Sequence, residues 1–241
     1  MNITIVNGTE QKGCTFAMKE LFLCAMGDGH NISEYYLPRD CPVFCTGCKA
    51  CFFRSIVVCP HSEYTVPIWD SILKADLLVF ASPTYVFHAT AQMKALLDHF
   101  GTKWMAHSPE KPMFGKQAVI VANAIGQGMG KTAGDIKDSL DFWGVARTYV
   151  IKQALFQAKW DDVSAKRKAA IGKRCEKAAA KIKSKKRVTP HIKIRWLFFI
   201  MKTAQKMIDK TERKAGREST ADYRHWKDNG WLDGKKPWRD K

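Results

Sequence analysis

Five short apolar runs alternate with stretches in which apolar residues recur at helical spacing. Ile3-Thr4-Ile5-Val6, Leu77-Leu78-Val79-Phe80-Ala81 and Ala118 to Asn123 have little polar interruption, the pattern of strands buried on both faces of a parallel sheet. Residues 31–37 and the run from Val145 to Ile151 predict two more strands. Between these runs, four groups each mark one face of a helix: Met18, Leu21 and Phe22; Val66 to Leu73; Met93, Leu96, Leu97 and Phe100; Ile136, Leu140 and Trp143. This alternation predicts an α/β fold, a three-layer sandwich around a five-stranded parallel sheet with right-handed crossovers, ending near residue 156.

The pattern then changes. Residues 161–187 are rich in Lys and Ala and predict a helix, which Pro190 breaks. Ile194 to Ile208 predicts a second helix, carrying Trp196, Leu197, Phe198, Phe199, Ile200, Met201 and Met207. The rest has little periodicity, and its Tyr223, Trp226, Trp231 and Trp238 are expected to pack back onto the domain or onto a neighbouring subunit. The expected organisation is a sandwich domain over 1–156 and a basic helical and aromatic C-terminal extension over 157–241.

The formal charge of +17 is unevenly placed. Acids and bases nearly balance up to about residue 150, whereas Lys and Arg far outnumber acids between Lys159 and Arg217. Such a region suits nucleic acid, an anionic membrane surface or an acidic protein, or forms a solvated helical face. No nucleic-acid motif accompanies it, which disfavours the first. The chain opens directly into a strand, without a charged-then-apolar leader, and the run from Trp196 to Met201 is too short to span a bilayer. A cytoplasmic protein with no transmembrane segment is expected.

Ligands of open α/β sheets bind beyond the carboxyl ends of the strands, where three loops stand. The first contains Gly8, Thr9, Gln11, Lys12, Gly13, Cys14 and Thr15 and enters a helix. Its free amides and the positive end of the helix dipole suit a phosphate, with Thr9 and Thr15 adding hydroxyls and Lys12 adding charge. Read without a ligand, Thr15 caps its helix and the glycines turn the chain. The second loop is Pro83-Thr84-Tyr85-Val86-Phe87, whose Tyr85 either stacks on a flat ligand or packs as a loop aromatic. In the third, Asn123, Ala124, Gly126, Gln127 and Gly128 bring backbone close to a planar ligand. Gly130-Lys131-Thr132 imitates a Walker A ending, but Ile125 stands where that motif needs glycine.

Cys41, Cys45, Cys48, Cys51 and Cys59 crowd into one segment, which in a reducing compartment points to metal or redox chemistry rather than disulfides. Cys45, Cys48, Cys51 and Cys59, with Pro60 after the last, follow C-x2-C-x2-C-x7-C. Three thiolates at two-residue gaps plus one nearby suit a 4Fe-4S cube, whereas tetrahedral zinc usually draws on two separated pairs. Zinc and free thiols fit the same letters, and Cys41 is a substitute ligand.

Together the three loops resemble the flavodoxin-like NAD(P)H-dependent FMN reductase family. Asn7 to Thr15 is similar to that family's phosphate loop, Gly-Ser-Pro-Arg-Lys-x-Gly-Asn-Thr, at Gly8, Thr9, Lys12, Gly13 and Thr15, and departs from it at Glu10, Gln11 and Cys14. Ser82-Pro83-Thr84-Tyr85 and the helix Ala91 to Asp98 resemble its Ser-Pro-x-Tyr loop and following helix, and Asn123 to Gly128 its glycine-rich flavin loop. The cysteine spacing is similar to that of the iron-sulfur flavoprotein branch. The resemblance covers residues 1 to about 155. It implies FMN at the junction of the first and third strands, phosphate on the amides of residues 9–15, the ring between the 83–87 and 124–128 loops, NAD(P)H as co-substrate, and a homo-oligomer in which a second subunit completes the site.

The function expected on this basis is an FMN-dependent oxidoreductase. It takes electrons from NAD(P)H and passes them to a small-molecule or protein acceptor, through a 4Fe-4S cluster where the cysteines hold one. The flavin carries the chemistry, so no side-chain acid or base is required. The alternative is a non-enzymatic flavodoxin-like electron carrier whose basic extension docks an acidic redox protein. A basic nucleic-acid or membrane binder on the same scaffold is a third reading.

Overall fold

A computed structural model of the chain describes residues 1–185 and 188–239, so the last two positions of the helix expected over 161–187 lie outside the described residues. Five strands, β1 (Asn2–Asn7), β2 (Asn31–Tyr36), β3 (Leu77–Pro83), β4 (Gln117–Ala124) and β5 (Arg147–Ala154), form one sheet in the order β2-β1-β3-β4-β5. Every pairing is parallel. Helices α1 (Cys14–Met26), α2 (Ala50–Phe53), α3 (Ser62–Lys74), α4 (Ala91–His99) and α5 (Met129–Phe142) lie between strands, and α6 (Ala165–Lys183), α7 (Ile192–Lys214) and α8 (Ala221–Asp228) follow. The chain moves outward from β1 to β2 and then returns past β1 to β3, so the strand order reverses between β1 and β3 and opens a crevice there.

The period of two along each strand divides the sheet residues between two cores. Leu78 and Phe80 of β3 face a layer containing Ile68, Trp69, Met93, Leu96, Ile136 and Trp143. Leu77, Val79 and Ala81 face the opposite layer, where Met18 and Phe22 of α1 meet Ile171, Cys175 and Ala178 of α6. That second layer is therefore built from both sides of residue 156. Lys116, just before β4, is buried and donates from Nζ to the carbonyls of Leu73 (2.7 Å) and Ala75 at the carboxyl end of α3.

The fifth strand begins later than its apolar pattern predicts. Val145 and Ala146 are fully buried, but they belong to the tight connection after Gly144 (φ 89°), with the Val145 amide on the Leu140 carbonyl at 3.0 Å and the Ala146 amide on that of Lys116 at 3.1 Å. Burial without ladder pairing explains the displaced boundary.

The aromatic tail packs back, as expected. Met105 and Phe114 share a core with Ile194, Leu197 and Phe198 of α7 and with Trp226, Trp231 and Leu232. The Trp226 indole donates to the His107 carbonyl at 3.0 Å, and Asp222 lies 2.9 Å from His107 Nδ1. The tail also holds a helix that periodicity does not reveal, α8, started by Thr220 accepting from the Tyr223 amide at 3.1 Å.

Candidate functional site

The loop after β1 is pinned against β3 before it turns into α1. The Gly8 amide donates to the Ala81 carbonyl (2.7 Å), and the Thr90 hydroxyl donates to the Gly8 carbonyl (2.7 Å). A Cβ on Gly8 would meet Thr90 Oγ1 at 2.8 Å and Ser82 Oγ at 3.1 Å, so only glycine lets the loop leave the crevice here. Residues 10–13 are exposed, and Thr9 is partly so. Gly13 starts α1 and offers no side chain to cap it, which leaves the first-turn amides directed at any anion placed there. Cys14 and Thr15 are buried. Cys14 Sγ is 3.5 Å from the Ala158 carbonyl, and Thr15 hydrogen-bonds Asn123 Oδ1.

The other two loops interlock above β3 and β4. The Thr84 amide donates to the Asn123 carbonyl (2.8 Å), and Thr84 Oγ1 lies 2.8 Å from Thr132 Oγ1. Thr132 is fully buried in this contact, so the Gly-Lys-Thr sequence serves loop packing. Gly128 has φ 99°, and a Cβ there would meet Thr84 Cγ2 at 2.7 Å and Phe87 Cα at 2.8 Å. Val86 and Phe87 take left-handed backbone (φ 49° and 68°), a strained conformation for a β-branched residue. The turn is closed by paired bonds between Tyr85 and His88 (2.9 and 3.0 Å), and Asp135 of α5 holds it through the Ala89 amide (2.9 Å) and His88 Nδ1 (3.1 Å). The tips are apolar but uncovered: Val86 is 91% exposed, Ile125 62% and Phe87 51%. Ala124 is buried and Gln127 exposed.

Three groups of this site carry no simple sequence signal. Asp135 sits on a helix far along the chain from the loop it anchors. Thr90 looks like an ordinary N-cap, and it does cap α4 (Met93 amide at 3.2 Å), but it also fixes Gly8. The loop after β5 contributes as well: Phe156 (φ 58°) donates its amide to the Ile125 carbonyl at 2.7 Å. The rule that ligands lie beyond strand ends applies equally to β5 and would have included it.

Beneath the first loop a buried lysine meets two partly exposed carboxylates. Lys19 is fully buried, 2.8 Å from Glu20 and hydrogen-bonded to Glu34, which also accepts from Asn7 Nδ2 at 2.9 Å. Burial alone would raise the Glu34 carboxyl, but the bonds from Lys19 and Asn7 outweigh it and hold the group below the usual carboxylate range.

The cysteine segment forms an irregular loop before α3. Cys45 and Cys48 are exposed, Cys51 and Cys59 half-buried, and Cys41 buried. Gly47 and Lys49 have positive φ (68° and 61°), folding the loop back on itself. Burial raises the Cys51 thiol, and Cys59, Cys45 and Cys48 raise it further. Among the described residues, the ligand atoms that converge within 4.8 Å are those of Cys59, His61 and His99, a sulfur and two ring nitrogens, and not the four sulfurs together. His99 Nε2 is 3.3 Å from the Val43 carbonyl. This sulfur and nitrogen donor set suits zinc as well.

The crevice accordingly offers a helix start without a side-chain cap, glycine-lined backbone and apolar tips. These fit FMN on two counts: close backbone approach at Gly8 and Gly128, and a helix start without a side-chain cap at Gly13. The model of the family described as NADPH-dependent FMN reductase matches residues 1–161. An iron-sulfur flavoprotein of Archaeoglobus fulgidus is 25% identical over 230 residues, covering 93% of this chain and 94% of its own length. Among solved structures, azoreductase AzrA superposes with a TM-score of 0.57 at 14% identity, over 75% of this chain and 100% of that one. An FMN-dependent NADH-azoreductase from Bacillus anthracis, in complex with FMN, gives 0.56 at 13% identity, over 76% of this chain and 99% of its own.

Proposed function

The chain belongs to the NADPH-dependent FMN reductase family, and from that premise we propose that it is an NAD(P)H oxidoreductase whose FMN lies in the β1–β3 crevice and whose cysteine segment carries a 4Fe-4S cluster. When bound, FMN would supply hydride and electron transfer between NAD(P)H and an acceptor. The observation that carries the reading is the meeting of three strand-end loops in one crevice. Gly8 is held against Ser82 and Thr90, Gly128 against Thr84 and Phe87, and Gly13 opens α1 toward the same space.

This chain's own groups have distinct tasks there. The amides of residues 9–15, with the Thr9 hydroxyl and Lys12, bind the phosphate. Backbone of residues 83–87 and of 124, 126, 127 and 128 would flank the ring, and Tyr85 is the aromatic that would stack on it. Asp135, through His88 and the Ala89 amide, fixes the 85–88 turn. Cys45, Cys48, Cys51 and Cys59 hold the cluster, which would supply one-electron transfer. The exposed apolar tips at Val86, Ile125 and Phe156 are the edge that a second subunit covers.

Anaerobic purification followed by an ultraviolet-visible spectrum and analysis for iron, sulfide and zinc tests both cofactors. A flavin spectrum bleached by NADPH or NADH, with four iron per chain, is the expected result. Failure to take up FMN on reconstitution overturns the first claim. One zinc per chain without sulfide overturns the second, and loss of that zinc in His61→Ala or His99→Ala would assign it to Cys59, His61 and His99.

A further inference from the structure

The helix α7 has two apolar faces. Ile194, Leu197 and Phe198 are buried against the domain, as an amphipathic helix requires. On the opposite side, Ile192, Trp196, Phe199, Thr203 and Met207 follow one another at steps of three and four residues and form a stripe facing solvent. Trp196 is 62% exposed and Met207 66%. A large aromatic and a methionine at that exposure on one helical face mark a surface that is covered in use.

The charges beside this stripe identify what covers it. Arg195, Lys202, Lys206 and Lys210 stand beside it, and the Lys236 ammonium lies 5.6 Å from the centre of the Phe199 ring. The acids of this helix are engaged elsewhere: Asp209 is largely buried and bonded to Arg213 at 2.8 Å, and Glu212 is paired with Arg217 at 2.6 Å. A second copy bringing the same face would set lysine against lysine in a chain of net charge +17. An anionic, apolar partner meets both requirements.

We propose that α7 docks the protein onto an anionic lipid surface, lying in the plane of the interface with Trp196, Phe199 and Met207 inserted among the acyl chains and the flanking lysines against the headgroups. This is the arrangement of interfacial helices, whose binding sums buried apolar area and attraction to anionic lipid. Among the described residues, no helix is long and apolar enough to cross a membrane, so attachment is peripheral. The site faces lipid whether or not the crevice holds FMN, and the two readings fail separately.

Co-sedimentation of the full chain with vesicles of equal parts phosphatidylglycerol and phosphatidylcholine, against vesicles of phosphatidylcholine alone, is the test. Binding to the anionic vesicles at least about tenfold tighter, weakening as salt is added, is expected. The triple variant W196S/F199S/M207S should lose at least about tenfold of that binding and keep the wild-type circular dichroism and NAD(P)H oxidation. The charge variant K206E/K210E, which leaves the aromatic residues in place, should lose the preference for anionic vesicles. Equal binding to both vesicle types, no binding to either, or retention on DNA without vesicle binding overturns the proposal. So does a wild type that is dimeric while the triple variant is monomeric, which assigns the face to a second copy.

Discussion

Thr15, at the start of α1, hydrogen-bonds the side-chain carbonyl of Asn123 at the end of β4, and both residues are buried. The loop after β1 is thereby tied to the strand beyond β3. Thr15→Val keeps the shape and strands a buried acceptor, at a cost of about 1–3 kcal/mol. The urea midpoint should fall accordingly, and FMN affinity, followed by quenching of flavin fluorescence, should drop with it. Unchanged affinity would mean that the contact is structural only.

Gly128→Ala meets both a left-handed backbone and two atoms closer than 3.0 Å. The backbone term alone costs about 1–2 kcal/mol, and the displaced Thr84 and Phe87 should weaken FMN binding further. Gly130→Ala is the control: its Cβ would have only Lys152 Nζ at 3.6 Å, and inside α5 the change should stabilise by about 0.5–1 kcal/mol.

The depressed Glu34 carboxyl stabilises the fold above the ordinary carboxylate range, and that contribution is lost as pH falls through the range toward its folded value. Lys19→Met, which leaves Glu34 without its buried partner, should cost up to about 3 kcal/mol at neutral pH. The difference from wild type should shrink on acidification. Urea titrations at neutral and acid pH read both numbers, and a gap that stays constant with pH would rule out the pair as its source.

Lys116 makes stability rise with pH as well, for a different reason: its surroundings disfavour the charged form, whereas those of Glu34 favour it. Burial pushes its ammonium down to about 8, so above that value the folded state holds fewer protons than the unfolded chain and stability rises with pH. Between about pH 7 and pH 10 this gain is about 2 kcal/mol, and Lys116→Met should abolish it. Parallel slopes for the two proteins would show that the ammonium is better solvated than its position suggests.

Cys45→Ser and Cys48→Ser alter exposed positions. Each should lower iron content and change unfolding free energy by no more than about 0.5 kcal/mol. A large loss of stability with iron retained would place these residues in the fold and not at a cluster.

Strands β3 and β4 were legible because each is an uninterrupted apolar run buried on both faces. β5 was displaced by Val145 and Ala146, which are as apolar and as buried as strand residues yet lie in a connection. α8 was hidden because Trp226 is its one buried residue and its partners, His107 and Pro109, lie far back in the chain. The glycines of the crevice announced themselves by type. Asp135 did not, since its role arises when α5 is set against the loop after β3, and no local pattern records that meeting.

The core that joins Met105 and Phe114 to Trp226 and Trp231 also has a bearing on synthesis. The ribosome delivers its two halves far apart in time. Until the later half emerges, the nascent sandwich carries an open apolar patch, and any ribosomal pause between these segments prolongs its exposure to chaperones. The later half of this core also includes Ile194, Leu197, Phe198 and Leu232, so the patch is covered only when all of α7 and the segment after it have emerged.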